Sequence, residues 1–332
     1  MKKKAVIYGL GKRFDENKTL LNQKFSITGY SDQDSKKSEK LQEGEIFIPV
    51  EDFLAYEFHK IIICGGGMEA KRKIFYKYMD DINWEDIIFL EDIQRRRITG
   101  EEFSRDLSLY QKSNKHADFA IEENSIYPMV NDIGENADIL DEHYFMQDIC
   151  VARKILMDNP GRHYDIGSRI DGFISHLLVF RKDITLIDVR PFPLAIDGLD
   201  FIQSDAVNLS EIEDESVESL SSLHAAEHFG LGRYGDPVDA EAFFVAMKSF
   251  ERVLKWGGKL YLSVPCGEKD TVFFNAHRMF SPHTVVSAFS DMKLLKFEAV
   301  RSFCVKETDI NDGDALKSLG NYYCGIFTLQ KL

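Results

Sequence analysis

The stretch His163–Phe180, "HYDIGSRIDGFISHLLVF", decides the fold. It opens as a strand, breaks at Gly167, and continues with Ile170, Phe173, Ile174, Leu177 and Leu178 at the i, i+3, i+4, i+7, i+8 spacing of one buried helix face. Strand, tight turn and helix in that order form the opening unit of a doubly wound sheet. Further strands read at "ITLIDV" (184–189), "DFIQSD" (200–205) and "KLYLSVP" (259–265). Ahead of the last lies "DPVDAEAFFVAMKSFERVLKWGG", a helix with Asp236 as expected cap, Pro237 in its first turn, Gly257 as its stop, and an apolar stripe of Phe243, Met247, Phe250 and Leu254. "KLLKFEAV" and "YYCGIFTLQKL" close the chain, so the expected sheet is mostly parallel and ends in a hairpin-like antiparallel pair.

Upstream, the first ninety residues show the same alternation at smaller scale: "KAVIYGLGKRF", "FSITGY", "EIFIP", "KIIICGGGMEAKRKIFYKYM" and "DIIFLED". The expected class is therefore α/β with two doubly wound, Rossmann-like domains. Residues 1–92 form a small nucleotide-binding-type domain, 93–160 a helical connector that packs on the second domain, and 161–332 the second domain. The first glycine turn holds Gly9 and Gly11 but has Phe14 at the third glycine position, with Asp32 following 21 residues after Gly11. Such a turn can seat a phosphate at a helix N-terminus with the acid near a ribose; a purely structural turn reads the same way.

Composition narrows the functions. A chain of 332 residues, 44% hydrophobic and 29% charged, buries real cores. Its formal net charge of −14 argues against nucleic acid and anionic membrane as partners, because both demand clustered Lys and Arg. "KKK" at Lys2–Lys4 and "QRRR" at Gln94–Arg97 are too short to reverse that. The five cysteines are scattered, odd in number and free of any C-x-x-C pair, which fits a reducing compartment. The N-terminal apolar run stops at Gly9, unlike a signal peptide, and no apolar stretch approaches the ~20 residues of a membrane span. The expected location is the cytoplasm, with a homo-oligomer compatible with the sequence.

In an open α/β sheet the ligand sits beyond the carboxyl ends of the strands. The residues there are Asp165, Gly167, Ser168 and Arg169; Asp188 and Arg190; Asp205 and Ala206; and Leu223 with His224. Gly167 lets backbone approach a ligand, Asp188 stands 21 residues later where it can accept two ribose hydroxyls, and Asp205 can receive an adenine amine. Aspartates are also common in turns and caps, and nicotinamide dinucleotides would use much the same geometry.

His224, Glu227 and His228 in "LHAAEHFG" spell H-x-x-E-H, the order of an inverted zinc-peptidase motif. Gly230 and Gly232 would cut a helix here short and no third ligand is identifiable, yet Val217, Leu220 and Leu223 also fit helical spacing, so the residues alone leave the zinc reading open beside that of a pocket wall.

"YDIGSRIDGF", "LIDVRP", "FIQSDAVNL", "LSSLHAAEHFGLGRYGDP", "RVLKWGGKLYLSVP" and "FNAHRMFSP" occur in the order of the motifs of class I S-adenosylmethionine-dependent methyltransferases, which the chain resembles from about Asp141 to Val300 and onward. More closely, it looks like a methyltransferase-like family of unknown function often encoded near surface-polysaccharide genes. One departure is Arg169, standing where the common glycine loop has its middle glycine. The resemblance implies S-adenosylmethionine as cofactor and a small polar acceptor such as a sugar or nucleotide sugar. It also implies His277, His224 and His228 as candidate catalytic bases, and Asn275, Arg278 and Glu227 as acceptor contacts. A catalytically silent nucleotide-binding scaffold of the same fold, or a nicotinamide-dependent oxidoreductase, stands as the alternative.

Overall fold

The computed structural model describes residues 2–78, 81–94, 97–122, 125–131, 133 and 140–332. Arg95 and Arg96 of the basic run lie outside the described residues. The chain divides into two compact units, Met1–Asp138 and Ile139–Leu332.

In the first unit, β1 (Lys3–Tyr8), β2 (Phe25–Ser31), β3 (Lys60–Ile63) and β4 (Ile87–Phe89) form a parallel sheet in the order β2-β1-β3-β4. The central strands β1 and β3 are buried on both faces, as in a covered parallel sheet. Val6, Ile61 and Ile63 join one core cluster and Ala5, Ile7 and Ile62 the other, following the two-residue period of a strand. Helices α1 (Lys12–Lys24) and α2 (Gly67–Tyr78) follow β1 and β3. The "EIFIP" run makes only a single bridge, Phe47 to Tyr30, before the chain turns at Pro49. At the end of β2, Asp32 accepts from the Leu10 amide at 2.6 Å and pairs with Lys37 at 2.9 Å. Two further helices, α3 (Leu90–Gln94) and α4 (Gly100–Ser113), complete the unit, the latter started by a reciprocal Thr99–Glu102 capping box.

The second unit begins with α5 (Glu142–Asp158). Asp141 caps its first turn through the His143 and Tyr144 amides, and Asn159 ends it in the left-handed region at φ 43°. The strands β5 (His163–Ile166), β6 (Ile184–Asp188), β7 (Leu199–Gln203), β8 (Val217–Leu223) and β9 (Leu254–Cys266) run parallel. A short β10–β11 hairpin (Thr271–Phe273 and His277–Met279) follows. Then come β12 (Met292–Arg301), β13 (Cys304–Glu307) and β14 (Tyr323–Lys331), giving the order β13-β12-β14-β9-β8-β5-β6-β7. The final strand β14 is antiparallel to both β9 and β12. The closing pair is thus antiparallel as the sequence implies, with β13 inserted between its members in the chain.

Alternation along the strands sends Ile187, Leu260 and Leu262 to one face and Leu186, Tyr261 and Ile326 to the other. The first face is covered by Phe243, Met247 and Phe250 of α7 (Ala242–Val253), the second by Val151 and Ile155 of α5 and Leu177 of α6 (Ser175–Leu178). The α7 stripe is buried as its spacing requires, but its N-cap is Glu241 and its C-cap Leu254, not Asp236 and Gly257. Asp236 instead accepts from the amides of Gly230 and Gly232 (2.9 and 3.3 Å) and Tyr234 (3.1 Å), folding the loop ahead of the helix. Tertiary demand for an acceptor in that loop outweighs the local preference for a cap.

Candidate functional site

The sheet reverses its winding between β5 and its two neighbours, β6 and β8, so a crevice opens at their carboxyl ends. Behind it runs a buried polar chain. Ser221 Oγ donates to Asp165, so the same oxygen accepts from His163 Nε2 at 2.9 Å, and His163 Nδ1 is left to accept from Ser219 Oγ at 2.8 Å. Burial holds the His163 imidazole neutral, lowering it to about 3, and lifts the Asp165 carboxyl to about 6. Asp165 also accepts from the Ser168 amide (3.0 Å) and hydroxyl (2.8 Å), which pins the turn that follows β5. Gly167 turns there at φ +69°, and a Cβ would meet that of Ala225 at 3.0 Å.

In front of that turn lies a cavity of about 420 Å³. Gly167, Asp188, Arg190, Asp205 and Ala206 line it, joined by His224 and His228 and by Asn208, Phe229 and Tyr234 of the adjoining loops. Arg190 binds the Asp188 carboxylate and lies over the Tyr234 ring at 5.1 Å. Gly230 holds φ +70° where a Cβ would come within 2.0 Å of the Asp239 carbonyl, so the loop closes against the cavity only with glycine there.

A second cavity of about 140 Å³ adjoins the first, and His224 and His228 line both. Its walls include His143, Tyr144, Glu227, His277 and Tyr322. His224 ends β8 in the left-handed region at φ 49° and bonds Glu227 Oε1 through Nδ1 at 2.8 Å. The H-x-x-E-H letters thus fold into a left-handed residue and a short 3-10 turn, Ala226–His228, rather than one face of an α-helix. His143 stacks on His224 and on Tyr322, both at 5.4 Å between centroids. Burial pushes the Glu227 carboxyl up, but the His224 and His228 imidazoles outweigh it and keep the group below the ordinary carboxylate range. Burial lowers His228 and His277, and brings His143 to about 4. Among the described residues no group of three or more His, Cys, Asp or Glu is arranged to hold a metal ion.

The sequence-derived candidates therefore sort by place. His224, His228 and His277 meet in the smaller cavity with Glu227. Gly167, Asp188, Arg190, Asp205 and Ala206 meet in the larger. Asp165 and Ser168 sit behind its wall, bonded to one another, and Leu223 is buried in the core. Arg169 pairs with Asp171 at 3.1 Å and lies 5.6 Å over the Tyr144 ring, Asn275 is exposed, and Arg278 is buried with its guanidinium on the carbonyls of Phe229, Asp239 and Ala240. His143, Tyr144 and Tyr322 escaped the sequence reading. Only the packing of α5 and the start of β14 around β8 brings them in, and no local pattern announces that.

The second unit is thus a mostly parallel, Rossmann-like sheet in which β14, set between β9 and β12, and the edge strand β13 run against their neighbours. At the level of sequence, the family described as Caenorhabditis protein of unknown function, DUF268, matches residues 197–317. No curated protein compared with the chain matches it. Among solved structures, the chain is similar to Burkholderia thailandensis 1,6-didemethyltoxoflavin-N1-methyltransferase with bound 1,6-didemethyltoxoflavin and S-adenosylhomocysteine, with 13% identity, 56% of this chain and 79% of that chain covered, and a TM-score of 0.40. For the N-methyltransferase NodS from Bradyrhizobium japonicum WM9 in complex with S-adenosylhomocysteine the values are 13%, 59% and 93%, and 0.39. For the [4+2]-cyclase SpnF they are 16%, 55% and 80%, and 0.41.

Proposed function

We propose that this chain is an S-adenosylmethionine-dependent methyltransferase acting on a small polar acceptor of the sugar or nucleotide-sugar class, as in surface polysaccharide assembly. One observation carries the reading: the 420 Å³ cavity at the switch point is lined by Gly167, Asp188, Asp205 and Ala206 and ends on His224. That volume falls in the roughly 300–1,000 Å³ range of small-molecule sites. Gly167 offers close backbone approach, Asp188 two acceptors for ribose hydroxyls, and Asp205 an acceptor for an exocyclic amine. The bound cofactor supplies an electrophilic methyl group. The protein's part is to position the acceptor and exclude water from it, with a base only where the acceptor is a hydroxyl.

The competing reading, a silent scaffold of the same fold, draws on Arg190, which already occupies the Asp188 carboxylate. Calorimetric titration of S-adenosylhomocysteine separates the two. Saturable micromolar binding supports the methyltransferase, and no binding by a folded sample overturns it.

A further inference from the structure

The smaller cavity contains three buried polar atoms with no hydrogen-bond partner among the described residues: His224 Nε2, Glu227 Oε2 and His277 Nε2. Orphaned polar atoms in a native interior are rare and costly. Three such atoms on residues that line one small space call for a ligand that brings several hydrogen-bond donors. Four of the nine histidines of the chain line this space.

The protonation pattern follows from the geometry. Ionised Glu227 can only accept, so the 2.8 Å bond places a proton on His224 Nδ1, and in the neutral ring Nε2 then carries the lone pair. The side chains of His224 and Glu227 are 5% and 2% exposed, so water does not compete for that bond. His224 also lines both cavities, and its backbone at φ 49° lies in the left-handed region that a non-glycine residue enters only at a cost. An imidazole oriented by a carboxylate, with its free nitrogen at the junction of two sites, is the arrangement of a general base. An amine acceptor, nucleophilic once neutral, needs no base in the transfer itself, whereas a hydroxyl does.

We infer that the smaller cavity binds a polyhydroxyl acceptor and that His224, positioned by Glu227, is the base for O-methylation. This assignment rests on the methyltransferase reading above. As the acceptor oxygen bonds to the methyl carbon, the C–S bond breaks with its electron pair left on sulfur, and the hydroxyl proton passes to His224 Nε2. The imidazolium so formed remains bonded to Glu227. Glu227 Oε2 and His277 Nε2 accept from further hydroxyls of the same ligand, and the stacked His143 and Tyr322 rings give its carbon face an apolar wall.

The test is nitrogen-15 NMR of histidine-labelled protein at pH 7.5, saturated with S-adenosylhomocysteine, with His224→Gln and His277→Gln used only for assignment. His224 is expected as the neutral Nδ1–H tautomer. Glycerol, the minimal polyol, is expected to move the Nε2 resonances of His224 and His277 upfield and leave those of exposed His59 and His116 in place. An Nε2–H tautomer or an imidazolium at His224 overturns the base. Unmoved resonances at ~1 M glycerol, or movement by ethylammonium in its place, overturn the hydroxyl acceptor. Failure of S-adenosylhomocysteine to bind in the same sample is a different result, and counts against the methyltransferase reading itself.

Discussion

Arg190 grips the carboxylate of Asp188 by three bonds: its amide and Nε both donate to Oδ1, at 2.8 and 2.9 Å, and Nη2 donates to Oδ2 at 2.6 Å. A ribose that uses Asp188 must share or displace that grip. Asp188→Ala is expected to weaken S-adenosylhomocysteine binding about 10- to 100-fold, the worth of a charge-assisted hydrogen bond. Arg190→Ala is expected to act the opposite way, tightening binding by no more than about fivefold, because an ion pair with a half-exposed arginine contributes ~1 kcal/mol. Calorimetry on both variants decides it; equal losses in the two would remove the competition.

Gly230→Ala is expected to cost about 2 kcal/mol or more in urea unfolding, since its Cβ would meet the Asp239 carbonyl at 2.0 Å with the backbone at φ +70°. Because the same loop walls the larger cavity, ligand affinity is expected to fall with it. A variant as stable as the parent would mean the loop shifts freely.

Buried Arg278 donates to three backbone carbonyls, of Phe229, Asp239 and Ala240. Arg278→Met strips them of their donor and is expected to destabilise by about 3 kcal/mol. If Arg278 is instead an acceptor contact, stability stays near that of the parent and only turnover drops, so paired melting and activity curves distinguish the roles.

Asp148 on α5 is 4% exposed, and burial lifts its carboxyl to about 7 against the hydrogen bond from Gln147. The folded state then holds this proton more tightly than the unfolded chain. The stabilisation is complete below about pH 4 and is lost as pH climbs to about 7. Asp148→Asn removes that slope, and at pH 8 the variant is expected to be the more stable by ~2 kcal/mol. Urea midpoints across pH 4–8 provide the measurement, and parallel slopes would contradict it.

Regular elements were legible because their causes are local. The stripe Phe173, Ile174, Leu177 and the alternation in "ITLID" register which side faces a core, and both faces of the sheet are built as those periods imply. Even there the helix after Gly167 starts as a π turn, Ile170–Ile174, a detail the spacing does not encode. Asp236-Pro237 looked like a helix start because the dipeptide suits one, yet the carboxylate serves amides of the loop before it. Arg278 reads as an acceptor contact in sequence, yet its guanidinium lies on three backbone carbonyls. The larger cavity was readable from strand ends, where sequence order and position coincide. The smaller one was half readable: His224, Glu227 and His277 stood out, while His143 and Tyr322 join them only through packing of distant segments.

Asp32, closing the second strand of the first sheet, is held by Lys37 as Asp188 in the second sheet is held by Arg190. Each carboxylate is neutralised by its own chain, so a ligand reaching either with uncharged hydroxyls trades an ion pair for neutral bonds. Dissolved salt, which screens charges over ~10 Å at 0.1 M, weakens the first more than the second. Binding at these carboxylates is therefore expected to strengthen as ionic strength rises, the reverse of what a protein that attracts its ligand by net charge displays.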